Sequence, residues 1–304
     1  MRERLILACA ISLLGACGDP PATTDSGTET PDAGGLEIPV APGDFSCVGS
    51  AMAPVGGADA AFMAHVYDFQ GGASTNVANI GVQIFPSNTV SADCTGACQD
   101  LMTDATGNIA GVTAPQGGWF AYRVEAGATG GGTSPVLTVG YNRVAPGPGG
   151  MIDLPSVSSM TIGFIPSLYR RMRLPGTAIV SGSVVDCAGD EVQNAVLRVY
   201  RGDSEVLPGP NATDFFIGYF NGSGLPSATR QYTNTDGIYA AANVAASAEP
   251  IRVEVWARTE EGADLRAIAC EEIEVFADAV TIISVGPLRN DYAAGTGCAA
   301  LSAL

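Results

Sequence analysis

The chain has 304 residues, 15% of them charged, with 31 acidic side chains against 14 arginines and no lysine, for a net charge of −17. So acidic a chain repels phosphate backbones, which argues against nucleic acid as a partner. The lack of Lys excludes a Walker phosphate loop and Schiff-base catalysis. Frequent Gly and Pro, with short Val/Ile/Thr runs between turn residues, give the profile of an all-β protein.

Met1-Arg2-Glu3-Arg4 is net positive and is followed by an uncharged apolar run over 5–16. That run is too short for a membrane-spanning helix, which needs about 20 residues, and has the length of a signal-peptide core. It ends in Leu14-Gly15-Ala16-Cys17, which resembles the bacterial lipobox. The resemblance implies that 1–16 is a cleaved signal peptide and that Cys17 carries diacylglycerol and an N-acyl chain, so that the membrane is a partner through this lipid. An ordinary signal peptide with a chance cysteine is the alternative. Gly18 after the cysteine resembles the sorting pattern of lipoproteins directed to the outer membrane. The Thr-, Asp-, Gly- and Pro-rich stretch that follows has no apolar periodicity, so 17–45 is expected to be a disordered tether.

With Cys9 removed and Cys17 lipidated, six cysteines remain: Cys47, Cys94, Cys98, Cys187, Cys270 and Cys298. An even number in an exported chain reads as three disulfides. A zinc site at Cys94 and Cys98 lacks the second ligand pair it would need. Thr95-Gly96-Ala97 permits a tight reversal that joins Cys94 to Cys98. Cys187 with Cys270 would staple one domain, which leaves Cys47 with Cys298 by elimination.

The remainder repeats itself. Ala64-His65-Val66-Tyr67-Asp68 is answered by a strand ending in Val184-Val185-Asp186, and Met102-Thr103-Asp104 with Gly107 is answered by Thr233 to Gly237. Trp119-Phe120-Ala121-Tyr122-Arg123-Val124-Glu125 is answered by Ile251-Arg252-Val253-Glu254-Val255-Trp256. The copies are 118 residues apart at Asp68/Asp186 and 129 at Arg123/Arg252, so the second carries an insertion, placed at 211–224. In the second copy Gly182, Val184, Asp186, Gly189, Val192, Ala195, Thr235, Asp236, Gly237 and Tyr239 resemble the carboxypeptidase regulatory-like domain, a transthyretin-like sandwich of about seven strands. Leu197 replaces a Val of that pattern, and Gly237 follows Asp236 without the usual spacing. The first copy matches more loosely, at Val66, Asp68, Val77, Gly81, Val82, Thr103, Asp104 and Gly107.

Local chemistry agrees. A strand-ending Asp can bond the N–H groups of the next turn, Gly supplies the positive φ of a hairpin, and Arg-Val-Glu-Val alternates with the period of a half-buried strand. The expected fold is therefore all-β: two tandem Greek-key-type β-sandwiches, 46–174 and 175–290, after signal peptide and tether, with a C-terminal tail over 291–304. One helix is expected over 159–171, with Ser159 as its cap and Pro166 interrupting it. Arg170, Arg171 and Arg173 form the only dense basic cluster; it reads as a solvated linker face or as a surface for an anionic glycan or lipid headgroup.

No catalytic residue emerges. His65 is the only histidine, which excludes HExxH and histidine-cluster zinc sites and the peptidase domain to which regulatory-like domains are attached. There is no G-x-S-x-G elbow. Glu260/Glu261 and Glu271/Glu272 are strand neighbours that point to opposite faces and read as solvated. Asp104 and the Asn234–Asp236 turn offer oxygens, but not in the spacing of a calcium loop. No metal or cofactor is expected. Trp119, Phe215, Phe216, Tyr219 and Phe220 are the candidate ligand-binding residues, with core packing as the alternative; Trp256, in a strand both copies share, has the weakest claim. The leading function is a non-catalytic, membrane-anchored envelope scaffold, adhesion or ligand-display protein with an envelope protein as partner. The alternative is a carbohydrate-binding module with a glycan as partner. Exposure of the aromatics favours the second and their burial the first.

Overall fold

Alternation becomes strand where one face can be buried: in β1 (Asp59–Asp68), Ala60, Phe62, Ala64 and Val66 turn inward while Asp59, Ala61 and Met63 face out. The computed structural model describes residues 37–94, 96–127 and 134–302; the expected signal peptide, Cys17 and the expected tether up to residue 36 lie outside them. After β1 come β2 (Gly81–Phe85), β3 (Gln99–Met102), β4 (Asn108–Pro115), β5 (Trp119–Val124), β6 (Thr138–Val144) and β7 (Met151–Ser156). Sheet β4-β1-β7 covers β3-β2-β5-β6 over a core that includes Phe62, Ile84, Ile109, Phe120, Tyr122 and Leu154.

Helix α1 (Ser159–Leu168) leads to β8 (Thr177–Ser183), β9 (Ala195–Arg201), β10 (Ser204–Glu205), β11 (Phe216–Phe220), β12 (Pro226–Ser227) and β13 (Ile238–Ala245). β14 (Ile251–Ala257), β15 (Arg266–Ile273), β16 (Val280–Ile282) and α2 (Gly297–Ser302) complete the described chain. Here β12-β11-β13-β8-β16 covers β10-β9-β14-β15, around Val180, Leu197, Tyr239, Ile251, Val253 and Ile283. Strands β8, β9, β10, β13, β14, β15 and β16 repeat the pairings of β1 to β7 one for one, and β11 with β12 is the addition.

The repeat extends to single hydrogen bonds. Buried Thr103 accepts from the Ile80 N–H at 3.0 Å through Oγ1, and buried Thr233 does the same for Ala195 at 2.9 Å. Gly107 and Gly237 both have positive φ, and a Cβ on either would lie 2.8 or 2.7 Å from the carbonyl oxygen of Val66 or Val184. The extra residues of the second copy fall between these anchors, and they include 211–224.

The two sandwiches are not merely consecutive. β16 pairs in parallel with β8 of its own copy and with β6 of the first, Val280 opposite Thr138 and Ile282 opposite Gly140. One nine-stranded sheet therefore runs through both.

The expected boundaries shift at both ends. Ile38 and Ala41 are buried, the Ala41 N–H donates to the Arg258 carbonyl at 2.7 Å, and Asn194 Nδ2 donates to the Val40 carbonyl at 2.8 Å. The packed chain thus begins by residue 38 rather than at 46, because a short apolar stretch finds hydrogen-bond partners there. Asp186 then gathers the N–H groups of Asp44, Ala188 and Asp190 at 2.7, 2.9 and 2.9 Å. This seats Cys47 beside Cys187, and these two form the disulfide, Cα atoms 5.8 Å apart. Cys270, buried with Leu288 and Cys298, bonds to Cys298. The expected Cys187–Cys270 and Cys47–Cys298 pairs are corrected accordingly: the disulfides fasten the terminal segments to the second sandwich rather than stapling its strands. Cys94–Cys98 is present, Cα atoms 5.6 Å apart.

Helix α1 also starts from a different cap. Ser158, extended at φ −82° and ψ 160°, accepts from the Thr161 N–H at 3.4 Å. Pro166 cannot donate to the Ile162 carbonyl, and the helix stops two residues later, short of residue 171.

The aromatic insertion is packing. Phe215, Phe216, Tyr219 and Phe220 are all buried. β11 adds to the sheet beside β13, and Tyr169, just past α1, lies 5.4 Å from the Phe216 ring and edge-on to Phe220 at 6.4 Å. The Tyr219 hydroxyl accepts from the Leu197 N–H at 3.0 Å, and Tyr169 donates to the Tyr219 carbonyl at 2.9 Å. The segment is a strand that locks α1 against the second sandwich. Phe216→Ala should cost about 3 kcal/mol or more in urea unfolding, and deletion of 211–224 should cause aggregation or a large fall in melting temperature. A deletion variant that melts like the parent would show that these aromatics do not hold the core.

Candidate functional site at the junction of the sandwiches

The joined sheets leave a cleft of about 500 Å³ between the two copies. Its walls come from Trp119 at the start of β5, Tyr141 in β6, the 86–89 turn after β2, Glu271 and Glu272 in β15, and Arg289 and Tyr292 from the segment after β16. That segment is held by the Leu288 N–H donating to the Ile268 carbonyl at 2.7 Å, by the Tyr292 hydroxyl donating to the Cys270 carbonyl at 2.7 Å, and by the Cys270–Cys298 bond.

Arg289 is the centre of the arrangement. Its guanidinium lies between two rings, 4.8 Å from the Trp119 centroid and 4.4 Å from that of Tyr292. It also reaches Glu271 at 3.4 Å and Asp291 at 3.2 Å. Glu271 accepts in addition from Asn142 Nδ2 at 3.3 Å, and Asn142 donates to the Ser284 carbonyl at 3.0 Å. Asn142 itself is in the left-handed region, φ 56°, and its N–H is held by Asn88 Oδ1 at 2.9 Å. One carboxylate thus ties together β15, β6 and the C-terminal segment.

Burial dominates the titration of Glu271. It pushes the carboxyl up to about 7, although Arg289 and the Asn142 hydrogen bond pull the other way. The Tyr141 hydroxyl, buried and donating to the Glu274 carbonyl at 3.2 Å, is also raised by desolvation. Carboxylates outnumber the cation here, and Arg289 is already engaged by two of them. With Ser87, Asn88, Thr89 and Thr296 completing the polar lining, the cleft suits a neutral, hydroxyl-rich or cationic group better than an anion.

Of the candidate ligand-binding residues, the structure brings only Trp119 to this cleft; Phe215, Phe216, Tyr219 and Phe220 lie in the core. Glu271, expected to be solvated, is buried instead, and Arg289 and Tyr292 belong to no motif that marks them in the sequence. The legible signal was Glu271 following a disulfide cysteine in a strand, which marks a covered edge. His65 bridges Asp153 at 3.0 Å and Asn76 at 2.9 Å on the first sandwich. Asp104 Oδ1 accepts from the Thr106 N–H and hydroxyl, both at 2.8 Å, and from the Asn108 N–H at 2.9 Å, as a turn requires. Trp256 donates to Glu254 at 2.8 Å under the Arg198 guanidinium. Among the described residues no group of three or more His, Cys, Asp or Glu is placed to hold a metal ion.

No family model matches the chain, and no curated protein matches it. Among solved structures, the Bacillus anthracis TIE protein is similar at 13% identity, over 75% of this chain and 34% of that one, with a TM-score of 0.23. A streptococcal ancillary pilin is similar at 10% identity over 76% of this chain and 69% of that one, TM-score 0.23. GBS52, the minor pilin of Streptococcus agalactiae, is similar at 10% identity over 78% of this chain and all of that one, TM-score 0.19.

Protonation of Glu271 is linked to folding. The folded chain binds this proton more tightly than the unfolded one, so the stabilisation is complete below about 4.5 and is lost as pH rises through about 7. Glu271→Gln, neutral throughout, should match the wild type near pH 4.5 and exceed it by up to roughly 3 kcal/mol above pH ~8, in urea unfolding across that range. A pH-independent difference between the two proteins would show that Glu271 is not the group that titrates.

Proposed function

We propose that the chain is a non-catalytic lipoprotein of the bacterial cell envelope, anchored through Cys17, whose two joined sandwiches serve as a scaffold or adhesion module. The observation that carries this reading is the apolar run over 5–16 that ends in Leu14-Gly15-Ala16-Cys17. The Gly18 that follows supports an outer-membrane destination. Among the described residues no helix is long and apolar enough to cross a membrane, and a lipid would supply attachment of another kind. A continuous sheet through both sandwiches suits display, because it fixes their relative orientation. The repeat that resembles regulatory-like domains brings accessory modules to mind and no catalytic group.

A second reading is favoured by one observation: Trp119 lines a cleft whose other polar groups are carboxylates, an amide, hydroxyls and the Arg289 guanidinium. That set fits a carbohydrate, with hydrogen-bonding groups beside an aromatic wall.

Expressed in a lipoprotein-processing host, the mature protein should begin at an acylated Cys17 and partition into detergent, since two or more chains give stable anchoring. Cys17→Ser should abolish both. Mass spectrometry that finds an unmodified Cys17 in the wild type would sink the anchor. On a glycan array, binding that Trp119→Ala abolishes would favour the carbohydrate reading, whereas binding unchanged by that substitution would exclude this cleft.

A further inference from the structure

We propose that the outer face of α1 and the turn that follows it form a docking surface for an anionic lipid bilayer. The proposal rests on the envelope-anchor reading and adds the orientation in which the sandwiches would lie.

Helix α1 buries Thr161, Ile162 and Pro166. The opposite stripe, Met160, Gly163, Phe164 and Ser167, is exposed at the spacing of one helix face. Two of these are large and apolar, Met160 at 56% exposure and Phe164 at 38%. The chain then presents Met172 at 60% and Leu174 at 43%. Leu225, 47% exposed, adjoins β12, the strand α1 packs beside. Four of these large apolar side chains, Met160, Phe164, Met172 and Leu174, thus stand exposed within 15 consecutive residues, a density that points to an interaction site.

Charge identifies the occupant. Residues 159–176 contain Arg170, Arg171 and Arg173 and no acidic residue, in a chain of net charge −17. Arg173 is neutralised by Asp278. Arg171 lies 5.7 Å over the Phe216 ring and donates to the Asn211 carbonyl, contacts that leave its charge in place. Arg170 is exposed. A second copy of so acidic a chain is repelled at long range, whereas a bilayer offers both things the surface lacks: apolar depth for Met160, Phe164 and Met172, and negative headgroups for Arg170 and Arg171. Each arginine near such a surface strengthens binding several-fold, and the effect fades within a Debye length. The acidic remainder is repelled by the same headgroups, so contact through this face alone is favoured. The stretch from Cys17 to Glu37 reaches at most roughly 70 Å when extended, enough to let a lipid hold the surface close without dictating which face turns down.

The test uses protein that begins at residue 18, which keeps every described residue and has no lipid. It is floated with phosphatidylglycerol–phosphatidylethanolamine vesicles and, separately, with phosphatidylcholine vesicles. We expect co-flotation with the first, several-fold weaker with the second, and loss as salt rises. Phe164→Glu with Met172→Glu should reduce the bound fraction at least roughly tenfold, and Arg170→Ala several-fold, with melting temperatures unchanged because all three side chains are exposed. Absence of flotation on both vesicles, or flotation that these variants leave intact, overturns the proposal. So does a dimer in light scattering that the double variant dissociates, which would assign the surface to a second copy. Because this protein carries no lipid, its outcome is separate from that of mass spectrometry at Cys17.

Discussion

The parallel pairing of β16 with β6 is the contact on which the rest of the architecture depends. Each strand is the edge of its own sandwich, and an unpaired edge carries backbone donors and acceptors that must find partners or water. Placed side by side, they satisfy each other and merge two sheets into one. Within each sandwich glycines let neighbours come close: a Cβ on Gly140 of β6 would enter the Tyr122 ring of β5, and one on Gly182 of β8 would meet the Ile283 carbonyl just past β16. With the sheets joined, the cleft acquires fixed walls from both copies, and Trp119 and Glu271, 152 positions apart in the sequence, come to face the same guanidinium.

The corresponding edge of the second copy, β15, is closed by the chain itself. The Ile268, Cys270 and Glu274 carbonyls accept from the Leu288 N–H, the Tyr292 hydroxyl and the Tyr141 hydroxyl. The outer side of β7 is treated similarly, with the Asp153 carbonyl taking Arg143 at 2.8 Å and the Pro155 carbonyl taking the buried Tyr122 hydroxyl at 2.7 Å. The backbone groups at these two edges thus have partners of their own, which guards them against edge-to-edge aggregation. The two long-range disulfides act in the same place, holding the terminal segments that do the covering.

Electrostatics divides the molecule unevenly. Acidic groups dominate overall, and buried Glu271 is tolerated because Arg289 and Asn142 face it and because its own proton is held more tightly. The arginine-bearing stretch after α1 stands apart, since it is free of carboxylates while its apolar neighbours are exposed.

Composition and period were enough for the all-β class and for the repeat, because side-chain alternation and turn chemistry are local and appear in the order of the chain. The Val-x-Asp strand ends and the positions of Thr103, Thr233, Gly107 and Gly237 were legible for that reason. The cap of α1 was misplaced by one residue, from Ser158 to Ser159, since two adjacent serines offer the same side chain and only backbone direction separates them. The disulfide partners were not legible, because Cys47 is brought to Cys187 by a carboxylate, Asp186, that lies 139 positions from its own neighbour Cys47. Nor was the role of the aromatic insertion, whose Phe and Tyr residues look alike in sequence whether they face solvent or a helix. Sequence alone determined which residues alternate, turn and repeat; tertiary structure decided which edges meet. Strand-edge pairing depends on distance in space between backbone groups that every residue carries, and no side-chain pattern records it.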